Sequence, residues 1–471
     1  MVIRFFLLAG GGAALAAGCA PHVELASAPA VQSRQWQGPS VSAAVPESPA
    51  AAAGLPASLA AALASPELEA LVERALRANA DLAVAATRVE QARAQLGVAR
   101  SAGLPVATAS GGVSETRTDD SGHSLFDFSN GAAGIDVAWE LDLFGRIAAG
   151  RRAASARHAA ALFDRDAAAL AVEAETVRAY VQHAALGDRI ALIDRSIESA
   201  RELERIIEVR RRYGAATRVD SGLAAIEARQ LEVERSRLVQ ARARTANALA
   251  VLVGEEAPLF RPPEASLRRL AVPAIAPVQP AELIVRRPDI RAAEYRIAAA
   301  AGDVDRARAA FFPQLSLSAG ILGQAASLSG PVGSTLTVGA GLLAPIFDRA
   351  RLNGQLAVAG AVQRETVESY RGALLTALGE AQDALTAAVE AGSRHALLAE
   401  IVEEARVTAR LARLQYVEGE ADLQTVLDAE QRLVAVEDAL AVAIQERHEA
   451  GIDVYRSMGG NPRAELVACR C

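Results

Sequence analysis

Four segments of the chain alternate apolar residues with small or polar residues at a period of two, which is typical of β-strands. They lie at about 106–114, 134–143, 314–322 and 334–346, and the first of them alternates only weakly. Each pair of segments brackets a polar loop, so the pattern predicts two β-hairpins. Segments of about ten residues with one apolar face are the pattern of a membrane β-barrel. A soluble two-stranded ribbon on a helical protein is the alternative.

Four strands are too few to close a barrel, because about eight are needed to enclose even a packed interior. An open sheet in lipid would leave the backbone groups along its two edges without hydrogen-bond partners. If these strands lie in a membrane, several copies of the chain must therefore share one barrel.

The rest of the chain shows helical periodicity over unusually long stretches. No proline interrupts residues 146–212 or 349–416, and a helix of about sixty-five residues would reach roughly 100 Å. Apolar residues along these stretches step by three and four, which buries a narrow stripe against neighbouring helices. One such series is Val426, Ala429, Leu433, Val436, Leu440 and Ala443.

The chain is a duplication of one half. Paired landmarks recur at an offset of 208 or 205 residues: Asp81 with Asp289, Pro105 with Pro313, Gly214 with Gly419, and Gly254 with Gly459. A period of about two hundred residues is too long for a solenoid repeat. Each half is predicted to contain a helix, two strands, a long helix and a second helix.

The first eighteen residues have the pattern of an export signal, in which Arg4 precedes an apolar run too short to span a bilayer. The sequence Ala16-Ala17-Gly18-Cys19 resembles the lipobox of bacterial lipoproteins, and it implies lipidation of Cys19. Cleavage near an ordinary Ala-x-Ala site, with an incidental cysteine, is the alternative. The residue after the cysteine is alanine rather than aspartate, which implies sorting to the outer membrane.

These patterns divide the chain into six segments. They are a signal peptide (1–18), a lipidated extended tether (19–63), a first repeat (64–254), a proline-rich connector (255–283), a second repeat (284–460) and a tail (461–471). The tail contains Cys469 and Cys471, for which we predict no function because chain termini fray and no histidine is nearby.

Composition argues against several kinds of chemistry. The chain has no lysine, so neither a Walker A lysine nor a Schiff-base lysine is present. Its six histidines form no His-x-x-x-His pair, so their spacing predicts no zinc site. A net charge of −7 and a sequence pI of about 5.6 argue against a nucleic-acid partner. We therefore predict no enzyme activity, no metal and no cofactor other than a covalent lipid on Cys19.

Several motifs resemble those of outer membrane efflux proteins. They are Trp139-Glu140-Leu141-Asp142-Leu143-Phe144-Gly145-Arg146, the block 286–294, Phe311-Phe312-Pro313, Tyr416-Val417-Glu418-Gly419, Val426-Leu427-Asp428-Ala429 and the block 454–460. The resemblance covers about residues 65 to 460. With the lipobox it indicates the NodT-type lipoprotein branch, whose members serve resistance-nodulation-division pumps.

The resemblance implies a mainly α-helical fold with a pair of membrane β-hairpins, assembled as a TolC-like homotrimer. Three chains would form a twelve-stranded barrel in outer membrane lipid and a long α-helical barrel in the periplasm. The implied partners are a periplasmic membrane fusion adaptor and an inner-membrane resistance-nodulation-division transporter, and the implied function is passive efflux of drugs or other small molecules. A structural periplasmic lipoprotein without a pore and a type I secretion exit duct are the alternatives.

The matching glycines predict where the helical hairpins turn. Gly214 and Gly419 stand where a long helix gives way to the next, so we assign them to the periplasmic tips. The resemblance implies that Asp428 points into the narrowed end of the tunnel and forms a ring of charges in a trimer. We call this narrowed end the periplasmic gate, and we assign Tyr416 and Asp220 to it as well. Asp220 is the weaker candidate because it aligns with a threonine of the second repeat, not with Asp428.

Overall fold

The structure is a computed structural model. It describes residues 26, 27, 29, 30, 33, 35–37, 56, 58–120, 123–273, 279–325 and 331–460, and for 116–120 and 123–129 it describes the backbone alone. The predicted signal peptide, Cys19 and the tail with Cys469 and Cys471 lie outside the described residues, as does most of the predicted tether.

Helices dominate the described chain, and four strands interrupt them. In order they are α1 (Leu59–Ala62), α2 (Pro66–Ala78), α3 (Ala80–Ser101), β1 (Val106–Asp120), β2 (His123–Leu141), α4 (Arg146–Arg212), α5 (Arg218–Leu252), a 3₁₀ turn (Leu267–Arg269), α6 (Pro280–Arg286), α7 (Pro288–Ala309), β3 (Gln314–Ala325), β4 (Val332–Leu343), α8 (Arg349–Glu418) and α9 (Leu423–Ser457). The two longest helices, α4 and α8, have 67 and 70 residues. The prediction of a mainly helical fold with a few strands is confirmed.

The strands differ in extent from the predicted segments. β1 continues to Asp120 and β2 already begins at His123, because the backbones of the two strands stay paired through the segment predicted as a loop. β4 ends at Leu343 rather than at residue 346. Pro345, which has no N–H to donate to a partner strand, follows closely.

The chain divides into two compact units. Unit 1 comprises Met1–Pro29, Arg88–Leu162 and Ala292–Gly372, and it contains the four strands. Unit 2 comprises Ala30–Thr87, Phe163–Arg291 and Ala373–Cys471, and it is helical in its described part.

The strands of unit 1 form one antiparallel sheet in the order β1-β2-β3-β4. The pairing of β2 with β3 joins the hairpin of the first repeat to that of the second. Within the described residues β1 and β4 each pair with one strand only, so the sheet has two open edges.

The register sorts the side chains of the sheet onto two chemically different faces. Trp139 lies opposite Leu317, and Leu336 lies opposite Ile321. Side chains alternate along a strand, so these residues share one face with Val338. The other face carries small and polar residues: Asp136, Glu140, Ser316, Ser318, Gly320, Thr337, Gly339 and Gly341. The apolar face is exposed to solvent in the single chain, where Leu336 and Val338 are 73% and 76% accessible.

The main core of unit 2 is built from the short helices, the long helices and the connector. Tyr455 of α9 and Leu68 of α2 are fully buried in it, together with Val177 of α4 and Leu249 of α5. The connector contributes Phe260 and Leu267, which are also buried. These residues form the same cluster, so the described part of the connector is packed structure.

Both repeats use the same contact where their second long helix ends. Gly254 follows α5 and Gly459 follows α9, and their φ angles are +71° and +86°. Each lies against the end of a short helix, Gly254 against Ala78 and Gly459 against Arg286. A Cβ added at Gly459 would lie 2.9 Å from the Arg286 carbonyl carbon, closer than real Cβ contacts. Glycine is therefore required at both positions.

A side chain completes this contact in each repeat. In the first repeat Asn79 Nδ2 donates to the Leu252 carbonyl oxygen at 3.1 Å. In the second repeat the aligned residue, Arg287, donates from Nη1 to the Ser457 carbonyl oxygen at 3.4 Å. An amide and a guanidinium thus bind the end of the second long helix at equivalent positions.

Arg287 also links this junction to α8. It forms ion pairs with Asp289 and Glu380, both at 2.8 Å, and its own side chain is only 10% exposed. Burial by itself would raise the pKa of Asp289, but the hydrogen bonds and charge of Arg287 hold that pKa below its ordinary value. The buried guanidinium is therefore well compensated.

Candidate functional site at the helical hairpin tips

Each pair of long helices turns at a glycine. Gly214 lies between α4 and α5 and Gly419 between α8 and α9, with φ angles of +75° and +84°. At both turns the glycine N–H bonds back three residues and the next N–H bonds back five residues. The N···O distances are 3.1 and 2.9 Å after α4, and 3.2 and 2.8 Å after α8. This is the Schellman motif, whose left-handed position favours glycine because it has no Cβ.

The helix after each glycine begins with a threonine and an aspartate, in opposite order in the two repeats. Thr217 caps α5: its hydroxyl accepts from Asp220 N at 3.2 Å, and the Asp220 carboxylate accepts from Thr217 N at 2.7 Å. Asp422 caps α9 by accepting from Thr425 N at 2.8 Å, and the Thr425 hydrogen bonds hold the pKa of Asp422 below its ordinary value. The carboxylate of Asp220 is thus held in a capping box.

Tyr416 is buried where the two hairpins of one chain meet. It packs in a cluster that draws on α4, α5, α8 and α9, whose other members are Leu203, Ile207, Ala224, Leu423, Val426 and Leu427. The Arg210 guanidinium lies 4.6 Å from the centre of the Tyr416 ring and donates to the Tyr416 carbonyl oxygen at 2.8 Å. Tyr416 therefore joins the first hairpin to the second.

Asp428 is the most exposed of the three gate candidates. It lies on α9 next to the buried Leu427 and accepts from Gln424 Nε2 at 2.8 Å. Asp220 and Asp428 each bond within their own helix, so the structure does not join them in one cluster. Of the two, Asp428 is the more exposed to solvent.

The sequence matches a family model described as "Outer membrane efflux protein" in two segments, residues 71–255 and 280–460. Together these segments cover most of the chain. The chain belongs to the outer membrane efflux protein family. Membership confirms the resemblance that the motifs indicated and the predicted role as an outer membrane efflux component.

Relatives and solved structures agree with this membership over most of their length. The chain is 31% identical over 416 residues to the pyoverdine export outer membrane protein OpmQ of Pseudomonas putida, covering 85% of this chain and 87% of that protein. It is 32% identical over 418 residues to the outer membrane protein OprJ of Pseudomonas aeruginosa, covering 84% and 85%. The solved structure of the outer-membrane channel OprN has a TM-score of 0.84 at 27% identity, covering 94% of this chain and all of that one.

Across the part of the chain that the structure describes, no helix is both long and apolar enough to cross a bilayer. The same described residues contain no group of three or more His, Cys, Asp or Glu side chains arranged to hold a metal ion.

Sequence reasoning missed a cluster of charged side chains on α5, α8 and α9. Glu430 of α9 is largely buried, and its carboxylate lies 3.6 Å from the Arg413 guanidinium of α8. Burial raises the pKa of Glu430, the charge of Glu227 raises it further, and Arg413 opposes both. These groups line a cavity of about 280 Å³. The one available signal was that Glu430 directly follows Ala429 of the heptad seam.

The three arginines at the end of α4 all have partners close to that helix end. Arg210 contacts Tyr416, while Arg211 bonds to Glu208 at 2.7 Å and Arg212 approaches the same carboxylate at 3.5 Å. The hydrogen bond from Arg211, helped by Arg212, lowers the pKa of Glu208 to about 2. These contacts favour a solvated helix end over an anion site.

Proposed function

We propose that three copies of this chain form a passive channel that carries drugs or other small molecules across the outer membrane. A periplasmic adaptor and an inner-membrane resistance-nodulation-division transporter would deliver the substrate and the energy. The strands would lie in the outer membrane and the long helices in the periplasm.

One observation carries this proposal, the four-stranded sheet with one apolar face and two open edges. β3 and β4 each have 12 residues, more than the 9–11 that a tilted strand needs to cross the hydrocarbon layer. The apolar face suits lipid, and the small and polar face suits a water-filled interior. Open edges are not stable in lipid, so β4 of one copy must pair with β1 of the next until the ring closes.

Three copies bring the ring to twelve strands, which exceeds the roughly eight that enclose only a packed interior. Two copies would reach eight and leave little room for a substrate. The family resemblance also favours three. Trimer formation therefore follows from the need for an aqueous passage together with the open edges of the sheet.

The names of the relatives support a conduit that does not itself select its cargo. One relative is a pyoverdine export protein and another, 28% identical, is a toluene efflux pump outer membrane protein. These cargoes differ widely in polarity. We propose that the transporter selects the substrate and that this chain supplies the exit.

The test of the channel is ion selectivity at the tips. In the trimer three exposed Asp428 carboxylates would surround the axis and favour cations. We expect Asp428→Asn to move the cation-to-anion permeability ratio towards one and to weaken block by divalent cations, measured by single-channel recording in planar bilayers. The substitution keeps the shape of the side chain, so the loss would report the charge.

Glu69→Gln is the matched control for this experiment. It removes one charge per chain from an exposed position on α2, outside the hairpins. Its selectivity should equal that of the parent. Equal selectivity and equal divalent block in the Asp428 and Glu69 variants would remove Asp428 from the passage, and a parent without any conductance would reject the channel itself.

We also propose that Cys19 becomes the acylated N-terminus of the mature chain and anchors it to the outer membrane. The lipobox behind the apolar run supports this assignment. Mass spectrometry of the N-terminal peptide should find a diacylglyceryl and an acyl group on Cys19. Cys19→Ser should leave chains that are at an early stage of assembly poorly attached to the membrane. A mature terminus at Ala20 or beyond, without lipid, would contradict the assignment.

A further inference from the structure

A buried glutamine of α8 holds the backbone of the N-terminal segment. Gln363 Oε1 accepts from the backbone N of Ala26 at 3.1 Å, and Gln363 Nε2 donates to the backbone O of the same residue at 2.9 Å. The Gln363 side chain is only 1% exposed. Both residues belong to unit 1.

This arrangement repeats the hydrogen bonding of one rung in a β-ladder, with a side-chain amide in place of the partner strand. Such an amide binds an extended backbone whatever side chain the bound residue carries. A buried amide left without these two bonds would be costly, so the pairing is favoured. Gln363 therefore acts as a clamp on the chain at Ala26.

A second attachment in unit 2 prevents the segment from sliding. Gln382, also on α8, accepts from Gln37 N at 2.8 Å and donates to Gln37 O at 3.1 Å. The neighbouring Trp36 is 7% exposed and packs in a cluster with Leu283, Ala381, Ala384, Leu385, Val454 and Met458. The two glutamines bind only backbone atoms, so they would accept any residue. The Trp36 side chain fits one apolar cluster, and it therefore determines which residues lie opposite the glutamines.

Chain length gives the clamp at Ala26 a consequence. Cys19 and Ala26 are seven residues apart, and seven residues span at most about 25 Å when fully extended. Gln363 lies fourteen residues after Arg349, the first residue of α8, which is about 21 Å along the helix. α8 follows the lipid-facing strand β4, so its first residue marks the membrane boundary. The separation of seven residues is therefore just sufficient for Cys19 to reach that end of α8.

We propose that Gln363 sets the reach of the lipid anchor, by clamping Ala26 at a fixed distance from the membrane end of α8. This proposal rests on the proposed lipidation of Cys19. The clamp matches the reach of the chain from Ala26 to Cys19 to the distance from Gln363 to the membrane end of α8, and it holds the acylated terminus beside the strands of its own chain. Its role is positioning, and it needs no further ligand.

Shortening the chain between Cys19 and Ala26 tests the proposal. Deletion of Val23, Glu24 and Leu25 brings Cys19 and Ala26 from seven to four residues apart, a separation that reaches at most about 14 Å. We expect this deletion to reduce the heat-modifiable, trimer-sized species in outer membrane fractions at least severalfold while Cys19 remains acylated. Gln363→Ala added to the deletion should restore the trimer, because Ala26 is then no longer clamped and can move towards the membrane end of α8.

Gln382→Ala is the matched control, since it makes the same change on the same helix and leaves the clamp at Ala26 in place. It should not rescue the deletion. Amide exchange in the full-length parent background supplies a second measurement: Gln363→Ala should speed exchange at Ala26 on the order of tenfold, as expected for the loss of one such hydrogen bond.

The outcomes separate this proposal from the lipidation on which it rests. An unmodified Cys19 in the parent would overturn both. An acylated Cys19 with a deletion that assembles as well as the parent would overturn the clamp alone. Equal rescue by Gln363→Ala and Gln382→Ala, or unchanged exchange at Ala26 in the Gln363 variant, would also overturn it.

Discussion

An arginine in place of Val338 should abolish assembly of the outer-membrane channel, whereas an arginine in place of its neighbour Thr337 should be tolerated. Val338 lies near the middle of β4 on the apolar face, and Thr337 lies on the small and polar face. An arginine that faces lipid at mid-depth costs about 2–4 kcal/mol. In the proposed trimer three copies would carry the change, so assembly would lose roughly 6–12 kcal/mol, which is comparable to the whole stability of an ordinary domain.

The measurement is the amount of heat-modifiable trimer in outer membrane fractions, compared at equal expression. Leu336→Arg and Thr335→Arg form a second matched pair two residues away, since Leu336 shares the face of Val338 and Thr335 that of Thr337. Loss should therefore alternate along the strand with a period of two. Equal loss at all four positions, or no loss at any, would show that β4 does not divide lipid from water.

The second large effect is expected where the long helices end. Alanine in place of Gly254 or Gly459 would have to hold a left-handed backbone, at a cost of about 1–3 kcal/mol. Its Cβ would also press against the backbone of the preceding short helix, which adds about 1–3 kcal/mol because backbone cannot rotate aside. We expect each variant to lower the thermal unfolding midpoint by many degrees and to reduce the yield of folded protein.

Gly379→Ala is the control for both glycine variants. Gly379 lies inside α8 with open space where a Cβ would go, so alanine there should stabilise the helix by about 0.5–1 kcal/mol. Circular dichroism at 222 nm during heating compares the three variants. A midpoint for Gly254→Ala and Gly459→Ala that equals the parent would mean that the short helices shift away, and that the junction is softer than its contacts indicate.

The sequence was sufficient to predict that the four strands exist, but not which strands pair or in which register. Alternation at Leu336 and Val338 identified a strand with one apolar face, yet it could not say that Trp139 and Leu317 share that face. Register between strands depends on which backbone groups meet, and residues almost two hundred positions apart leave no local trace of that choice.

The tips show the same division between local and distant information. The glycines at 214 and 419 were visible because a left-handed turn demands that residue type. The roles of Asp220 and Tyr416 were not, because capping and burial depend on the geometry of the turn and on the neighbouring hairpin. Gln363 gave no signal at all, since a glutamine on a helix is ordinary until the backbone of Ala26 lies across it.

The order of the strands determines which strands meet at each junction of the proposed ring. Inside each chain the second hairpin strand of one repeat, β2, meets the first hairpin strand of the other, β3. Between chains β4 would meet β1, which is again a second strand against a first. Every junction in the closed ring then has the same polarity, and the ring is a cycle of six hairpins of which only alternate neighbours are covalently joined. A trimer of duplicated chains would therefore close in the same way as a hexamer of half-chains. Because the halves are joined in one chain, each repeat can diverge in sequence at its own strand junction.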